Sequence, residues 1–264
     1  MTSSSLERRA ASRRKKSKDD TWWQMLIAGD FSMSCIFVAL MSLTAEVAEA
    51  LAGITGLGEF PLSIAITVVS LIIFGPICGL FGGAMFNPVH NVAFIAAGKD
   101  SVKLNTARMV AQIVGAALGA FLAVSMLPEF LKDHFHKLPG GLAAGVSLPV
   151  GMACEAVLGC VLNLVVLYSM ETSSKVLSQV LPLLATVALI LAGSVFSGPG
   201  LNPAMTFSFF VHYSDNRSAL EHALLYWAAP FAGALAGGLL WRLLHGPGVG
   251  AAPAKKAAAK KRAE

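Results

Sequence analysis

Charge is what this chain has least of. Only 13% of its 264 residues are Asp, Glu, Lys or Arg, about half the roughly 25% of an ordinary soluble domain, while 55% are hydrophobic and the mean hydropathy is +0.67. That combination excludes a disordered chain and argues against a soluble enzyme. Cysteine is also scarce, with four in all and no C-x-x-C spacing. Cys35, Cys78, Cys154 and Cys160 all fall in apolar runs, where they act as small apolar residues, so neither a disulfide framework nor a metal site is expected. No nucleophile, base and ligand cluster points to catalysis.

The net charge of +5 would suit a nucleic-acid binder until the charges are located. Residues 1–20 hold seven basic and three acidic side chains, residues 251–264 hold five and one, and the centre keeps eight basic against eleven acidic. The basicity therefore belongs to two tails, 1–20 and 247–264, and no nucleic-acid partner is expected.

A bilayer core takes roughly 20 mainly apolar residues per helix, and the centre supplies six such runs, near 22–44, 62–82, 105–127, 146–170, 177–196 and 223–245. The first is too long for the ~7–15 residues of a signal-peptide core and contains Asp30, so it reads as a retained span despite Ala48-Glu49-Ala50 beyond it. With six spans both tails share a side. That side collects 17 Lys/Arg, including Lys99, Lys103 and Arg108, against three on the other, which predicts cytosolic termini and tails with affinity for anionic lipid.

Two segments break the helical rule alike. Gly82-Gly83-Ala84-Met85-Phe86-Asn87-Pro88-Val89 follows the second span and Ser197-Gly198-Pro199-Gly200-Leu201-Asn202-Pro203-Ala204 follows the fifth, each leading into a short apolar run. Asn is a favoured N-cap and Pro a favoured first helical residue, so each box starts a half-helix too short to cross. Irregular backbone at membrane depth must be buried in protein or line a wet cavity. Two copies 115 positions apart imply an inverted repeat around a central pathway, with one repeat over about 21–128 and the other over about 146–246. Gln112-x-x-Gly115-x-x-x-Gly119 aligns with Pro230-x-x-Gly233-x-x-x-Gly237, and Asp30 with Glu155. The expected fold is all-α: six transmembrane helices plus two re-entrant half-helices in a 3+3 repeat, forming one channel domain over 21–246. The glycine ladders, Gly75/Gly79/Gly83 included, are expected to let helices approach closely. Asp30 and Glu155 are expected to be buried acceptors for the loops, and Glu46 and Glu49 to be solvated.

These paired boxes, with Ala93-Phe94-Ile95-Ala96-Ala97-Gly98, Ala192-Gly193-Ser194 and Tyr226-Trp227-Ala228-Ala229-Pro230-Phe231 around them, resemble the major intrinsic protein (aquaporin) superfamily, and within it the plant small basic intrinsic proteins. The resemblance covers roughly residues 28–245. It implies a homotetramer with a pore in each subunit, an endoplasmic-reticulum membrane, no cofactor, and passage of water and of other small neutral solutes. It assigns the pore boxes to Asn87-Pro88-Val89 and Asn202-Pro203-Ala204, and a narrow filter to Thr67, Ile190, Pro199 and Met205. Met205 stands where most relatives carry Arg, leaving the filter apolar, and Thr206 replaces the Asp of the glycerol branch.

His90, three residues after Asn87, has two readings: a satisfied packing residue, or a pH sensor facing the cytosolic pore mouth. His134 and His136 beside Asp133 read as a solvated loop patch. The terminal Lys260-Lys261-Arg262-Ala263-Glu264 resembles a dilysine retrieval signal. Two rival readings use the same features: a secondary transporter, which shares broken helices and midplane sites, and a membrane scaffold acting through its tails.

Overall fold

A computed structural model describes residues 3–126, 141–212 and 218–246. His134, His136, Asp133 and the basic tail 247–264 lie outside the described residues. Among the described residues, six segments are long and apolar enough to cross a membrane: Thr21–Thr55, Glu59–Leu80, Val102–Met126, Leu148–Glu171, Lys175–Gly193 and Ala219–His245. They are built from α1 (Ser3–Met41) and α2 (Thr44–Thr55), then α3 (Glu59–Leu80), α5 (Val102–Met126), α6 (Leu148–Glu171) and α7 (Lys175–Gly193). The last combines α9 (Ala219–Ala223), a π-helical turn (Leu224–Ala228) and α10 (Ala229–His245). The half-helices are α4 (Pro88–Ala96) and α8 (Pro203–His212), of nine and ten residues, about 15 Å at 1.5 Å per residue, half a bilayer core of about 30 Å.

The outer face is apolar, and the interior holds polar side chains among apolar clusters. Asp30, Asn91, Asn105, Gln112, Glu155 and Asn163 are fully buried, whereas Ile72, Leu80, Leu184 and Leu243 are exposed. In water such a surface would aggregate; in lipid it is solvated, and the backbone is satisfied within helices.

Packing follows the repeat. α1 lies along α5 and α6 along α10, while each half-helix leans on the third span of the other repeat, α4 on α10 and α8 on α5. Glycine permits the close approaches. A Cβ on Gly115 or Gly119 would collide with the carbonyl of Phe31 or Cys35, and one on Gly233 or Gly237 would press on that of Ala156 or Cys160.

Three expectations need correction. Gly75, Gly79 and Gly83 are not packing residues within the chain: a Cβ at any of them meets open space, the first two because α3 turns that face away from the other helices, and Gly83 because it lies past the end of α3 in the loop, at φ 93°. The first membrane segment does not end near residue 44 but turns at Ser42–Leu43 and continues as α2, and Glu46 and Glu49 are half-buried on it rather than solvated. Arg108 is not a cytosolic surface cation; it is buried in α5.

Candidate functional site

The two boxes are stitched to each other. Asn87 takes an extended backbone as N-cap of α4, and its Oδ1 accepts from Val89 N at 3.2 Å; Asn202 Oδ1 accepts from Ala204 N at 3.1 Å and Met205 N at 3.4 Å at the start of α8. Each side-chain amide then crosses to the other loop. Asn87 Nδ2 donates to the Leu201 carbonyl and Asn202 Nδ2 to the Phe86 carbonyl, both at 2.7 Å. An amide carries two hydrogens, so each Asn has one N–H left over. Leu201 is the only non-glycine residue at positive φ (48°) among the described residues, a costly left-handed conformation for a branched side chain. The carbonyl so placed is the one that Asn87 holds.

The acids brace the loops behind the boxes. Asp30 Oδ1 accepts from Met85 N, and Asp30 forms a two-pronged pair with Arg108, through Nε at 2.5 Å and Nη2 at 3.1 Å. Arg108 Nη2 also donates to the Gly83 carbonyl at 2.9 Å. In the second repeat Glu155 Oε1 accepts from Ser197 Oγ at 2.7 Å and Gly200 N at 3.2 Å. Tyr226 takes the place of Arg108: its hydroxyl donates to the Ser197 carbonyl at 2.7 Å and accepts from Gly141 N at 2.6 Å. The Tyr226 hydroxyl also lies 3.3 Å from the Gly198 carbonyl, the counterpart of Gly83 O, so matching parts of the loops are held in both halves, by an Asp–Arg pair in one and by a Glu and a Tyr in the other.

The four residues assigned to a filter are all half-buried. Met205 packs against the cluster of Phe37, Phe74 and Ala204. Ile190 packs against Leu158, Leu162 and Leu201, and Pro199 stands against Gly193. Thr67 turns its hydroxyl back to the Ser63 carbonyl of its own helix at 2.9 Å. The structure thus sets Met205 on the α1/α3 side and Ile190 and Pro199 on the α6/α7 side. His90 is half-buried, and its Nδ1 lies 2.9 Å from Asn163 Oδ1 on α6. No group of His, Cys, Asp and Glu among the described residues could hold a metal ion.

Arg108, Tyr226, Asn163 and Leu201 were not anticipated as site residues. For the first two the signal was present: the alignment of Gln112 with Pro230 also aligns position 108 with 226, and both side chains can donate to a loop carbonyl.

Among the described residues, six membrane-crossing segments and two half-helices joined through their caps define a helical membrane fold, one matched by a solved structure. The aquaglyceroporin from Plasmodium falciparum superposes with a TM-score of 0.64 at 16% identity, over 84% of this chain and 95% of that one. Among sequence relatives, Aquaporin SIP1-1 of Zea mays is 34% identical over 233 residues, 84% of this chain and 89% of its own. Probable aquaporin SIP1-2 of Arabidopsis thaliana is 33% identical over 230 residues, 82% and 91% of the two chains. Residues 16–241 match the major intrinsic protein family. The chain belongs to that family, and it is an integral membrane protein of the channel class rather than an enzyme.

Proposed function

We propose that this chain is a passive channel for water and for other small neutral solutes, with Asn87-Pro88-Val89 and Asn202-Pro203-Ala204 at the middle of the conduit. The observation that carries the reading is the reciprocal pair of bonds from Asn87 Nδ2 to Leu201 O and Asn202 Nδ2 to Phe86 O. They fix two helix N-termini against each other, each equivalent to about half a positive charge. A cation or hydronium approaching that point meets two positive ends and finds donors rather than acceptors. A water molecule accepts from the two spare amide hydrogens and turns its own hydrogens outward, which breaks the file of donors that proton hopping needs.

Thr67, Ile190, Pro199 and Met205 form the filter in this reading. Without a guanidinium, it excludes by width and dryness, and a flexible thioether makes the width adjustable. Asp30 and Glu155 hold the loops in register behind it. The working form is a homotetramer with one conduit per subunit, in the endoplasmic-reticulum membrane, with both termini cytosolic.

Stopped-flow osmotic shock of reconstituted vesicles, first with water alone and then with urea, glycerol and hydrogen peroxide, tests this. Fast, non-saturating fluxes without ion current are expected. Saturable uptake coupled to an ion gradient would replace the channel with a transporter.

A further inference from the structure

The inverted repeat makes a second assignment possible, because the bonds around its two boxes match. Met85 N donates to Asp30 as Gly200 N does to Glu155. Asn87 reaches Leu201 as Asn202 reaches Phe86, and the Asn87 cap on Val89 N matches the Asn202 cap on Ala204 N. In that register the counterpart of Met205 is His90. Each is the third residue past its Asn, one helical turn on and on the same face.

We infer that His90 is a second specificity-determining position, a polar constriction in the cytosolic half of the conduit that answers the apolar Met205 in the other half. The inference rests on the channel reading above. Three observations support it. First, Val89 and Asn91 on either side of His90 have no exposure at all, whereas His90 itself is partly open. Helix α4 packs on α5, α6, α8 and α10, and in this reading the opening left at His90, one turn past the buried Asn87, faces the conduit.

Second, the imidazole is oriented. Asn163 is fully buried, and its Nδ2 is spent on the Gly159 carbonyl at 2.7 Å, which leaves Oδ1 as acceptor for His90. In the neutral ring Nδ1 therefore carries the hydrogen and Nε2 is an acceptor. Third, Met205 lacks this anchor: the residue matching Asn163 is Val38 of the first repeat, part of the apolar cluster that Met205 packs against. A polar group held by a buried partner in one half, facing a thioether packed on aliphatic and aromatic groups in the other, gives the conduit one acceptor to offer a solute that brings a hydrogen. Water and urea both do. Asn163 acts through His90 and is a positioning residue.

The test is water and urea permeability of the full chain in vesicles, per reconstituted protein, for His90→Met, His90→Asn, His90→Gln and Asn163→Leu. His90→Met makes the two halves alike. His90→Asn keeps a group that can reach Asn163 but loses the outer acceptor, while His90→Gln keeps an amide near the place of Nε2. Both permeabilities should fall about fivefold in the Met and Asn variants, the rate equivalent of one hydrogen bond of about 1 kcal/mol. His90→Gln should stay within twofold of the parent, and Asn163→Leu should fall between. Met and Gln variants that match the parent alike, or that fall alike, would overturn the assignment, since a packing role does not distinguish them in this way. If the parent itself does not conduct, the channel reading fails instead.

Discussion

The two buried acids respond differently to neutralisation, and the difference can be worked out from their partners. Asp30 is fully buried and receives one backbone N–H and two guanidinium N–H groups. Asp30→Asn keeps the shape and one acceptor for Met85 N. It also strips the countercharge from Arg108, which is itself only 3% exposed and has no other anion among its bonds. Breaking one side of a buried pair costs about 3–5 kcal/mol, because the remaining charge is left unmatched in a poorly polarisable interior. Glu155 receives a hydroxyl and a backbone N–H and has no cationic partner among its hydrogen bonds. In Glu155→Gln the amide oxygen accepts both, no charge is stranded, and the loss is about that of ordinary hydrogen bonds, 1–2 kcal/mol.

Thermal or denaturant unfolding of detergent-solubilised protein, followed by circular dichroism, should therefore rank Asp30→Asn well below Glu155→Gln in stability. The double variant Asp30→Asn/Arg108→Gln should recover part of the loss by removing the stranded cation. Equal destabilisation by the two single variants, or a double variant worse than the sum of its parts, would show that the ion pair is not what fixes the first loop.

Two further outcomes are expected. Met205→Arg restores a fixed cation and a fork of donors, and it should cut urea and glycerol leak at least severalfold while water still passes; an unchanged solute profile in vesicles refutes the filter assignment. Gly115→Ala and Gly233→Ala force a methyl group into backbone carbonyls and should cost about 1–3 kcal/mol of unfolding free energy, whereas Gly75→Ala and Gly79→Ala, which meet open space, should leave monomer stability within about 0.5 kcal/mol; at those two sites a change seen only in the oligomer distribution on size exclusion would mark an intersubunit face.

What the sequence revealed was what local chemistry encodes. Apolar runs located the spans, and Asn-Pro located the half-helix starts, because capping and a preset proline φ act within a few residues. Asp30 and Glu155 were legible as loop acceptors because an acid in a span needs donors and the irregular loops offer them. Arg108 was misplaced because a basic residue near the start of an apolar run counts equally well as a topology signal. Only the helix start at Val102 puts it more than a turn inside α5, within reach of Asp30. The glycines of α3 were misread for a related reason: spacing identifies a smooth helical face but not what lies opposite it. Ser42 and Leu43 carry no helix-breaking residue type, so the turn between α1 and α2 left no local mark.

Where the repeat diverges bears on how such a channel works. The bonds that fix loop backbone are kept in both halves, with changed chemistry: Arg108 against Tyr226, Asp30 against Glu155. Beyond the loops the symmetry stops. Asn91 on α4 donates to Asn105 at 2.9 Å and accepts from Gln112 at 3.0 Å, pinning the first half-helix to α5 through side chains. The matching residues of the second repeat, Thr206, Ala223 and Pro230, make no such link; the Thr206 hydroxyl bonds to carbonyls of its own half-helix start. Helix α4 is therefore held by directional bonds, which tolerate little displacement, and α8 by apolar packing around Met205, which tolerates repacking. The half with the oriented imidazole is also the half whose position is fixed. In the proposed channel the half with the flexible thioether is the one free to adjust to what passes, which would assign discrimination by hydrogen bonding and discrimination by width to opposite ends of one conduit.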